Sequence, residues 1–248
     1  MAVDLNIDLG ELPGEPEELY ALSTVVNVAC GGHAGDVASM KRAVALALRY
    51  GPRIAVHPSY PDREQFGRAR MAIPLEMLFE SFVEQITTLG MITTEMGGRL
   101  WGAKPHGALY HAAAEDPQLA AAVLDALVTA CPDGLVIVGP PGGHLEDASR
   151  ARKLPYAREG FADRSYDDKG RLVPRGAPQD VLLEPSVCAE QALRLARSGT
   201  VETICVHGDT PHAVAIARQV RAALEQQALL RLEDPGPVSE EPSPLQPP

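Results

Sequence analysis

The chain has 248 residues, of which 45% are hydrophobic and only 4% aromatic, and its formal net charge is −11. Nucleic acids and anionic membranes require a basic surface, so this acidic chain is expected to bind neither. The sequence has no run of about 18 apolar residues and no basic segment that leads into an apolar stretch, so it predicts neither a membrane span nor a signal peptide and favours a cytoplasmic location.

Short segments rich in β-branched residues alternate with longer segments whose apolar residues recur at helical spacing. The pattern predicts seven strands, at residues 3–9, 23–30, 53–57, 100–104, 135–139, 155–159 and 203–207. It predicts helices at residues 37–49, 74–94, 108–130 (with a restart at Asp116-Pro117), after Gly143, at 185–197 and at 211–227. Residues 160–180 are irregular, and the DDKG sequence at 167–170 predicts the turn of a small hairpin.

The alternation of strands and helices predicts an α/β fold with a parallel sheet of about seven strands. A closed or nearly closed (β/α) barrel and an open doubly wound sheet both fit this count, and the chain length suits a barrel. We assign residues 1–231 to a single barrel-like catalytic domain. Residues 232–248 form a Pro-rich acidic tail with almost nothing to bury, and we expect this tail to be disordered.

Polar side chains recur at the carboxyl ends of the predicted strands. They are Asp8 and Glu11 after the first strand, His33 and Asp36 after the second, His57 after the third, Lys104 and His106 after the fourth, Glu159, Asp163 and Arg164 after the sixth, and His207 and Asp209 after the seventh. Because the carboxyl ends of parallel strands lie on one side of the sheet, we expect a shared site there. Two of these residues also have simpler explanations, since Asp36 is a suitable helix N-cap and Glu11 is expected at the surface.

Six segments of the sequence carry a resemblance to a known family. In chain order they read DLNIDLGE, NVACGGHAGD, AVHPSYPDREQFGR, KPHGALY, EGFADRSYDDKGRLVPRG and VHGDTPHAVAIARQVRAAL. Together they resemble the signature segments of the LamB/YcsF family, the A subunits of prokaryotic ATP-dependent 5-oxoprolinases, from about Val3 to Leu224. The resemblance implies a (β/α) barrel-like fold related to that of the polysaccharide deacetylases.

The resemblance also implies an activity, which is the opening of the lactam of 5-oxoproline to glutamate with hydrolysis of ATP. It implies two partner subunits, B and C, which activate the lactam before this chain completes the opening. ATP is then expected to be bound mainly by the partner subunits. In this chain the glycine-rich CGGHAGD loop lacks the GK[ST] ending of a Walker A motif, so it is only a weak nucleotide signal.

Opening a lactam requires an activated water, a stabilised oxyanion and a protonated leaving nitrogen. For this reaction the expected catalytic residues are Asp8, His57, Lys104, His106, Glu159 and His207. The expected substrate- or anion-binding residues are His33, Asp163, Arg164 and Asp209. Asp8 is the preferred base, with Glu159 as the alternative, and the histidines would polarise the substrate and transfer protons. Lys104 and Arg164 would bind the substrate carboxylate or a phosphoryl group.

Two other functions remain open from the sequence. The first is a metal-dependent amide hydrolase of the deacetylase type, in which Asp8, His33 and His57 would hold zinc or a similar divalent ion. The chain has no HxxxH or HExxH motif to support it. The second is a non-catalytic subunit that binds 5-oxoproline and presents it to the partner subunits.

Overall fold

The computed structural model describes residues 2–232, so the predicted tail lies outside the described residues except for Leu232. The strands are β1 (Asp4–Leu9), β2 (Val25–Ala29), β3 (Arg53–His57), β4 (Leu100–Ala103), β5 (Val136–Gly139), β6 (Tyr156–Phe161) and β7 (Thr203–His207). The helices are α1 (Glu18–Leu22), α2 (Val37–Tyr50), α3 (Leu75–Glu95), α4 (Gly107–Glu115), α5 (Pro117–Ala130), α6 (His144–Ala151), α7 (Pro185–Ser198) and α8 (Ala213–Gln226). In this part of the chain, no helix has the length and apolar composition needed to cross a membrane.

The seven strands form a closed barrel in sequence order, and every neighbouring pair is parallel. Closure occurs where β1 pairs with β7, with Asp8 opposite His207. On its other side β1 pairs with β2, with Asp8 opposite Asn27. The prediction of a parallel (β/α) barrel is confirmed, and the open doubly wound sheet is excluded. Closure matters for function because it brings the first and last strands, far apart in sequence, into direct contact.

The apolar core lies between the barrel and the surrounding helices. In β1, Leu5, Ile7 and Leu9 are fully buried in this layer, and Phe82 of α3 is among the few aromatic residues there. Fully burying each such side chain contributes about 1.5–3 kcal/mol of stability. With aromatics scarce, most of the core is built from Leu, Ile, Val and Ala, as the composition indicates.

The interior of the barrel, in contrast, is polar. Alternate residues of β1 point inward, so Asn6 and Asp8 contact polar side chains from other strands across the barrel. Asn27 Nδ2 donates hydrogen bonds to Asn6 Oδ1 and to Asp8 Oδ1, both at 2.7 Å. Asn6 Nδ2 in turn donates to Glu159 Oε1 at 2.9 Å. These hydrogen bonds satisfy buried polar groups and fix the floor of the site described below.

Several sequence-based details can be compared with the structure. Asp36 caps α2 as predicted, because its carboxylate accepts from Ser39 N and its own N–H donates to Ser39 Oγ, both at 2.8 Å. The small hairpin with its turn at residues 167–170 is confirmed by the antiparallel bridge between Tyr166 and Leu172, and a second antiparallel bridge joins Arg164 and Val181 to extend the hairpin to residues 164–181. The five-residue helix α1 was not predicted, because one turn is too short to show helical periodicity.

The predicted end of the sixth strand was wrong. β6 continues beyond Glu159 to Phe161, so Glu159 lies inside the strand instead of at its carboxyl end. The residues Gly160 and Phe161 continue the buried pairing with β7, opposite Ile204 and Cys205. Glu159 therefore projects into the barrel below the level at which the strands end.

Candidate active site

A cavity of about 410 Å³ opens at the carboxyl ends of the barrel strands. The predicted site residues that line it are Asp8, His57, Lys104, His106, Arg164 and His207. They come from the ends of β1, β3, β4 and β7 and from the segments that follow β4 and β6. Four other predicted site residues, His33, Glu159, Asp163 and Asp209, are not among the residues that line this cavity.

The ammonium group of Lys104 forms the centre of the cavity floor. Lys104 Nζ lies 2.8 Å from Asp8 Oδ1 and 3.0 Å from Glu159 Oε1, and Lys104 is almost fully buried. Burial lowers the pKa of Lys104, but the charges of Asp8, Cys205 and Glu159 raise it more, so that its pKa lies well above the usual value. The cavity floor therefore carries a permanent positive charge between two carboxylates.

Asp8 is held as an anion by its neighbours. Its Oδ1 accepts from Asn27 and Lys104, and its Oδ2 lies 3.2 Å from Lys104 Nζ and 3.5 Å from His57 Nε2. Burial raises the pKa of Asp8, but Lys104 and His57 lower it more, and its pKa is well below the usual range. A carboxylate with so low a pKa is a weak proton acceptor near neutral pH.

Glu159 lies beneath Lys104 in the barrel. Its Oε1 accepts from Asn6 and faces Lys104, and its side chain is inaccessible to solvent. Its Oε2 and the hydroxyl of Tyr110 are both buried and have no hydrogen-bond partner in residues 2–232. Burial and the charge of Glu159 raise the pKa of Tyr110 well above its usual value, so Tyr110 is neutral. Glu159 is thus placed to hold Lys104 from below.

His207 and Asp163 form a hydrogen-bonded pair on the cavity wall. His207 Nδ1 donates to Asp163 Oδ1 at 3.0 Å, and the His207 ring stacks on Phe161. Asp163 is fully buried and also accepts from the His207 backbone N–H and from Thr210 Oγ1, both at 2.9 Å. Burial raises the pKa of Asp163, but His207 lowers it more, so Asp163 is ionised. This arrangement leaves His207 Nε2 as the ring nitrogen that can exchange a proton with a ligand.

His57 and His106 form a second wall of the cavity, and His33 and Glu11 contact them without lining the cavity. The rings of His33 and His106 stack with centroids 3.6 Å apart, and His57 packs edge-on against both. His57 Nε2 lies 3.0 Å from His106 Nδ1. Burial and neighbouring histidines lower the pKa values of His33 and His106 well below the usual value, so both rings are neutral.

Glu11 was expected at the surface, and that expectation was wrong. Its side chain is only 3% exposed, and its Oε1 lies 2.9 Å from His33 Nε2. The turn after β1 explains this position, because the Glu15 carboxylate accepts the backbone N–H groups of Gly10, Glu11 and Leu12 at 2.7–2.8 Å. These three hydrogen bonds fold the chain back and direct Glu11 inward.

The loop after β3 reaches the start of α4 through two glycines. Gly107 has φ +56°, and a Cβ at this position would lie 2.5 Å from the carbonyl oxygen of Gly67. A Cβ at Gly67 would lie 2.9 Å from His33 Cβ and 3.1 Å from His106 Cδ2. Glycine at both positions therefore lets the loop pack directly on the histidine cluster.

The Gly107→Ala substitution is expected to destabilise the protein more than a control substitution at Gly170. Gly170 has φ +75°, and a Cβ added there would meet no atom within 4 Å, so Gly170→Ala adds only backbone strain of roughly 1–2 kcal/mol. At Gly107 the clash with Gly67 adds about 1–3 kcal/mol. Urea unfolding of both variants measures the difference, and equal free energies of unfolding would contradict the predicted clash.

Basic side chains surround the cavity mouth. Arg164 Nε and Nη2 donate to the carbonyl oxygens of Asp180 and Val173, at 3.2 and 2.6 Å, so this buried guanidinium also fixes the hairpin. Arg68 is paired with Asp209, which places Asp209 in the rim as a partner of an arginine. Arg175 also lines the cavity and has no ion pair or hydrogen bond among the described residues. The mouth is therefore locally basic although the chain is acidic.

Comparison with known proteins identifies the family. The profile of the LamB/YcsF family matches residues 3–233. The chain belongs to the LamB/YcsF family. A curated relative, the A subunit of the 5-oxoprolinase of Methylococcus capsulatus, is 43% identical in an alignment 244 residues long that covers 92% of this chain and 94% of the relative.

Solved structures place this LamB/YcsF chain among similar barrels. The lactam utilization protein from Thermus thermophilus is 35% identical, with a TM-score of 0.85 and coverage of 93% of this chain and 98% of that chain. The catalytic domain of a peptidoglycan N-acetylglucosamine deacetylase from Eubacterium rectale is 12% identical, with a TM-score of 0.52. The match covers 97% of this chain and 92% of that chain. The latter likeness concerns the fold alone, and it confirms the predicted relation to deacetylase-type barrels.

The sequence of this LamB/YcsF chain left several contributors to the site unidentified. They are Asn6, Asn27, Arg68, Tyr110, Arg175, Cys205 and Thr210. A signal existed for Asn6 and Asn27, because each is a polar residue in the middle of an apolar strand and Asn6 lies two positions before Asp8, on the same face. Glu11 was noted after the first strand but was interpreted as a surface residue, since its burial depends on the fold of the turn that follows it.

Proposed function

We propose that this chain is the A subunit of a 5-oxoprolinase that opens the lactam of 5-oxoproline to glutamate, together with B and C subunits and with hydrolysis of ATP. The observation that carries the proposal is the 43% identity, over nearly the whole chain, to the A subunit of a 5-oxoprolinase. The cavity supports it, because a fixed ammonium group and a histidine–aspartate pair face one small space. The activity is that of a cyclic amide hydrolase.

The cavity suits a small anionic substrate. 5-Oxoproline carries one carboxylate and one lactam, and the cavity mouth is basic at Arg68, Arg164 and Arg175. A guanidinium at the mouth can bind the carboxylate, or a phosphoryl group on an activated lactam, through charge-assisted hydrogen bonds. The lactam carbonyl would then point toward Lys104 on the floor.

In the reaction, water adds to the lactam carbonyl carbon, the ring C–N bond breaks, and the ring nitrogen takes up a proton. Lys104 would stabilise the negative charge that develops on the carbonyl oxygen. His207 Nε2 would accept a proton from the attacking water and deliver one to the nitrogen, while Asp163 holds the ring in the required tautomer. His57 and His106 form the opposite wall and would polarise the substrate.

The structure favours a different role for Asp8 from the one expected from the sequence. Asp8 was the preferred base, but Lys104 and Asn27 already occupy its Oδ1 and its pKa is well below the usual range. We assign Asp8 the task of holding Lys104 charged and oriented toward the cavity. Glu159, the alternative base, has the same task from below. Asp163 likewise acts through His207.

ATP is assigned mainly to the partner subunits. Phosphorylation of the lactam oxygen there would activate the ring carbon for attack by water. Cleavage of the C–N bond would then leave an acyl phosphate, whose hydrolysis gives glutamate and inorganic phosphate. The chain supports this division because it has no Walker A motif, and its cavity is sized for a small ligand.

Reconstitution tests the proposed function. The purified chain is mixed with B and C subunits, Mg-ATP and 5-oxoproline, and glutamate release is followed with each component omitted in turn. We expect glutamate only in the complete mixture. Glutamate release at the same rate without this chain would overturn the proposal. If cavity variants bind 5-oxoproline normally and leave turnover unchanged, the chain is a non-catalytic presenting subunit.

Arg175→Ala is expected to raise KM for 5-oxoproline about tenfold or more with little change in kcat. A hydrogen bond to a charged group contributes about 1.5–3 kcal/mol to binding, and Arg175 is placed to bind the substrate before and during the reaction. The matched control is Arg171→Ala, because Arg171 lies in the same hairpin, is paired with Asp167 and does not line this cavity. Steady-state kinetics of the reconstituted enzyme gives KM and kcat for both variants. Equal KM values in the two variants would show that Arg175 does not bind the substrate.

A further inference from the structure

Four buried side chains beside the cavity converge on one point. Glu11 follows β1, His33 follows β2, His57 ends β3 and His106 follows β4. Each offers one ligand atom, and these four atoms lie within 4.8 Å of one another. None of these side chains is more than 7% exposed. The proposed lactam chemistry uses His57 and His106 to polarise the substrate from one wall, and it gives no reason for Glu11 and His33 to meet them.

Hydrogen-bond directions identify which ring nitrogens carry lone pairs. His57 Nδ1 lies 2.7 Å from the carbonyl oxygen of Lys104, and a carbonyl only accepts, so this nitrogen bears the proton. His106 Nε2 lies 3.0 Å from the carbonyl oxygen of Phe66 and is protonated for the same reason. In the neutral rings, the lone pairs therefore sit on His57 Nε2 and His106 Nδ1.

These two lone pairs face each other across only 3.0 Å. Two acceptors at this distance repel one another, and only a proton or a cation between or beside them makes the contact favourable. A shared proton would require one ring to become an imidazolium. That charge would lie on a ring that is almost fully buried, which is unfavourable.

Glu11 supplies a carboxylate oxygen close to these lone pairs. Its Oε1 lies 2.9 Å from His33 Nε2, 3.4 Å from His106 Nδ1 and 3.8 Å from His57 Nε2. For a tetrahedral site with bonds of about 2.0–2.2 Å, neighbouring ligand atoms are separated by roughly 3.3–3.6 Å. The observed separations bracket this value, so one ion can contact all four atoms once the His33 ring, which lies parallel to the His106 ring, rotates to direct its Nε2 lone pair at the ion.

We propose that Glu11, His33, His57 and His106 bind one divalent transition-metal ion, with Zn²⁺ the first choice. Three imidazole nitrogens and one carboxylate oxygen are a ligand set that zinc accepts in tetrahedral geometry. The backbone carbonyls of Lys104 and Phe66 orient two of the rings through their remaining N–H groups, as is usual for metal-binding histidines.

The proposed ligand set differs from the one considered from the sequence. Asp8 was then a candidate ligand with His33 and His57, but its carboxylate is engaged by Lys104 and Asn27. A second group, Asp8 with Cys205 and His207, also clusters its ligand atoms within 4.8 Å. There Lys104 Nζ lies 2.8 Å from Asp8 and 3.1 Å from Cys205 Sγ, so an ammonium already supplies the positive charge.

The proposed ion would place positive charge on the cavity wall formed by His57 and His106. This inference does not rest on the proposed function, because metal binding can be measured on the chain alone, without partner subunits, ATP or 5-oxoproline. A metal-dependent hydrolase would use such an ion as a Lewis acid. Failure of lactam opening would leave the binding result intact, and failure of metal binding would leave the lactam assignment intact.

The test titrates Zn²⁺ into the purified, chelator-treated chain by isothermal calorimetry and measures thermal unfolding with and without Zn²⁺. We expect one Zn²⁺ per chain with a dissociation constant of about 1 µM or lower and a raised Tm. Glu11→Gln, which conserves shape, should weaken binding at least about tenfold, and His106→Ala about 100-fold or more, since even changes to outer-shell partners cost about 10–100-fold. The control is His144→Ala, an exposed histidine at the start of α6.

Three outcomes would overturn the proposal. The first is no Zn²⁺ binding, or much less than one ion per chain, in the wild type; this result would favour a shared proton between His57 and His106. The second is wild-type affinity in both Glu11→Gln and His106→Ala. The third is an equal loss of affinity in His144→Ala. If circular dichroism shows that the His106→Ala variant is unfolded, the Zn²⁺ affinity of the isosteric Glu11→Gln variant decides whether the proposed site binds the ion.

Discussion

With partner subunits and ATP present, the Lys104→Met variant is expected to release glutamate from 5-oxoproline at least about 10²-fold more slowly than the wild type. Loss of one preorganised donor to a developing oxyanion typically costs about 10²–10³-fold in rate. Lys104 is the ammonium group on the cavity floor, and Asp8 and Glu159 hold it in place. Methionine keeps the approximate length of the side chain and removes its charge. The initial rate of glutamate formation measures the effect.

The substitution also has a structural cost that needs separating from the chemical one. Removing one partner of a buried ion pair costs about 3–5 kcal/mol, because the remaining charge is left unpaired. The double variant Lys104→Met/Glu159→Gln removes one of the two carboxylates as well, so its free energy of unfolding should recover part of this loss. Glu159 does not line the cavity, which makes it a suitable partner substitution.

The double variant separates the two roles of Lys104. If Lys104 stabilises the oxyanion, the double variant is more stable than Lys104→Met but equally slow. If Lys104 only neutralises buried carboxylates, activity returns together with stability. Recovery of activity to near the wild-type rate in the double variant would remove Lys104 from the chemistry.

The barrel was predictable from the sequence because its strands and helices differ in local pattern. Most strands are short runs that contain β-branched residues, and the long helices show apolar residues at helical spacing. Both signals depend only on nearby residues. The meeting of Asp8, Lys104 and His207 was also predictable, because parallel strands place their carboxyl ends on one side. Barrel closure, which sets Asp8 opposite His207, required the structure, since it depends on how seven strands tilt and pair.

What the sequence did not reveal depends on contacts between distant segments. Glu11 is buried because Glu15 folds the turn, and its partner His33 lies on another loop. Glu159 was placed at a strand end because an irregular stretch, residues 160–180, follows it, whereas pairing with β7 carries the strand on to Phe161. Asp163 was expected to bind substrate, but three hydrogen bonds from His207 and Thr210 direct it away from the cavity.

His207→Ala is expected to lower kcat about 10²–10⁴-fold, the usual contribution of a positioned general acid–base group. His207 faces the cavity, and its Nδ1 is committed to Asp163, so Nε2 alone is available for proton transfer. KM should change little, because the imidazole acts on the reacting atoms more than on substrate binding. Added imidazole should restore part of the rate, which a purely structural role for His207 would not allow. The absence of both a rate loss and a rescue would exclude His207 as the proton carrier.

Asp163→Asn tests the positioning role on which the assignment of His207 depends. An amide can donate as well as accept, so it no longer fixes His207 with a proton on Nδ1, and kcat should fall about 10²-fold or more while KM stays near the wild-type value. Thr210→Val is the matched control, because it removes a hydrogen bond to the same Asp163 carboxylate without touching the His207 ring. Its effect should be small. If Thr210→Val and Asp163→Asn lower kcat equally, Asp163 serves only the local fold, and the proton must pass through another group.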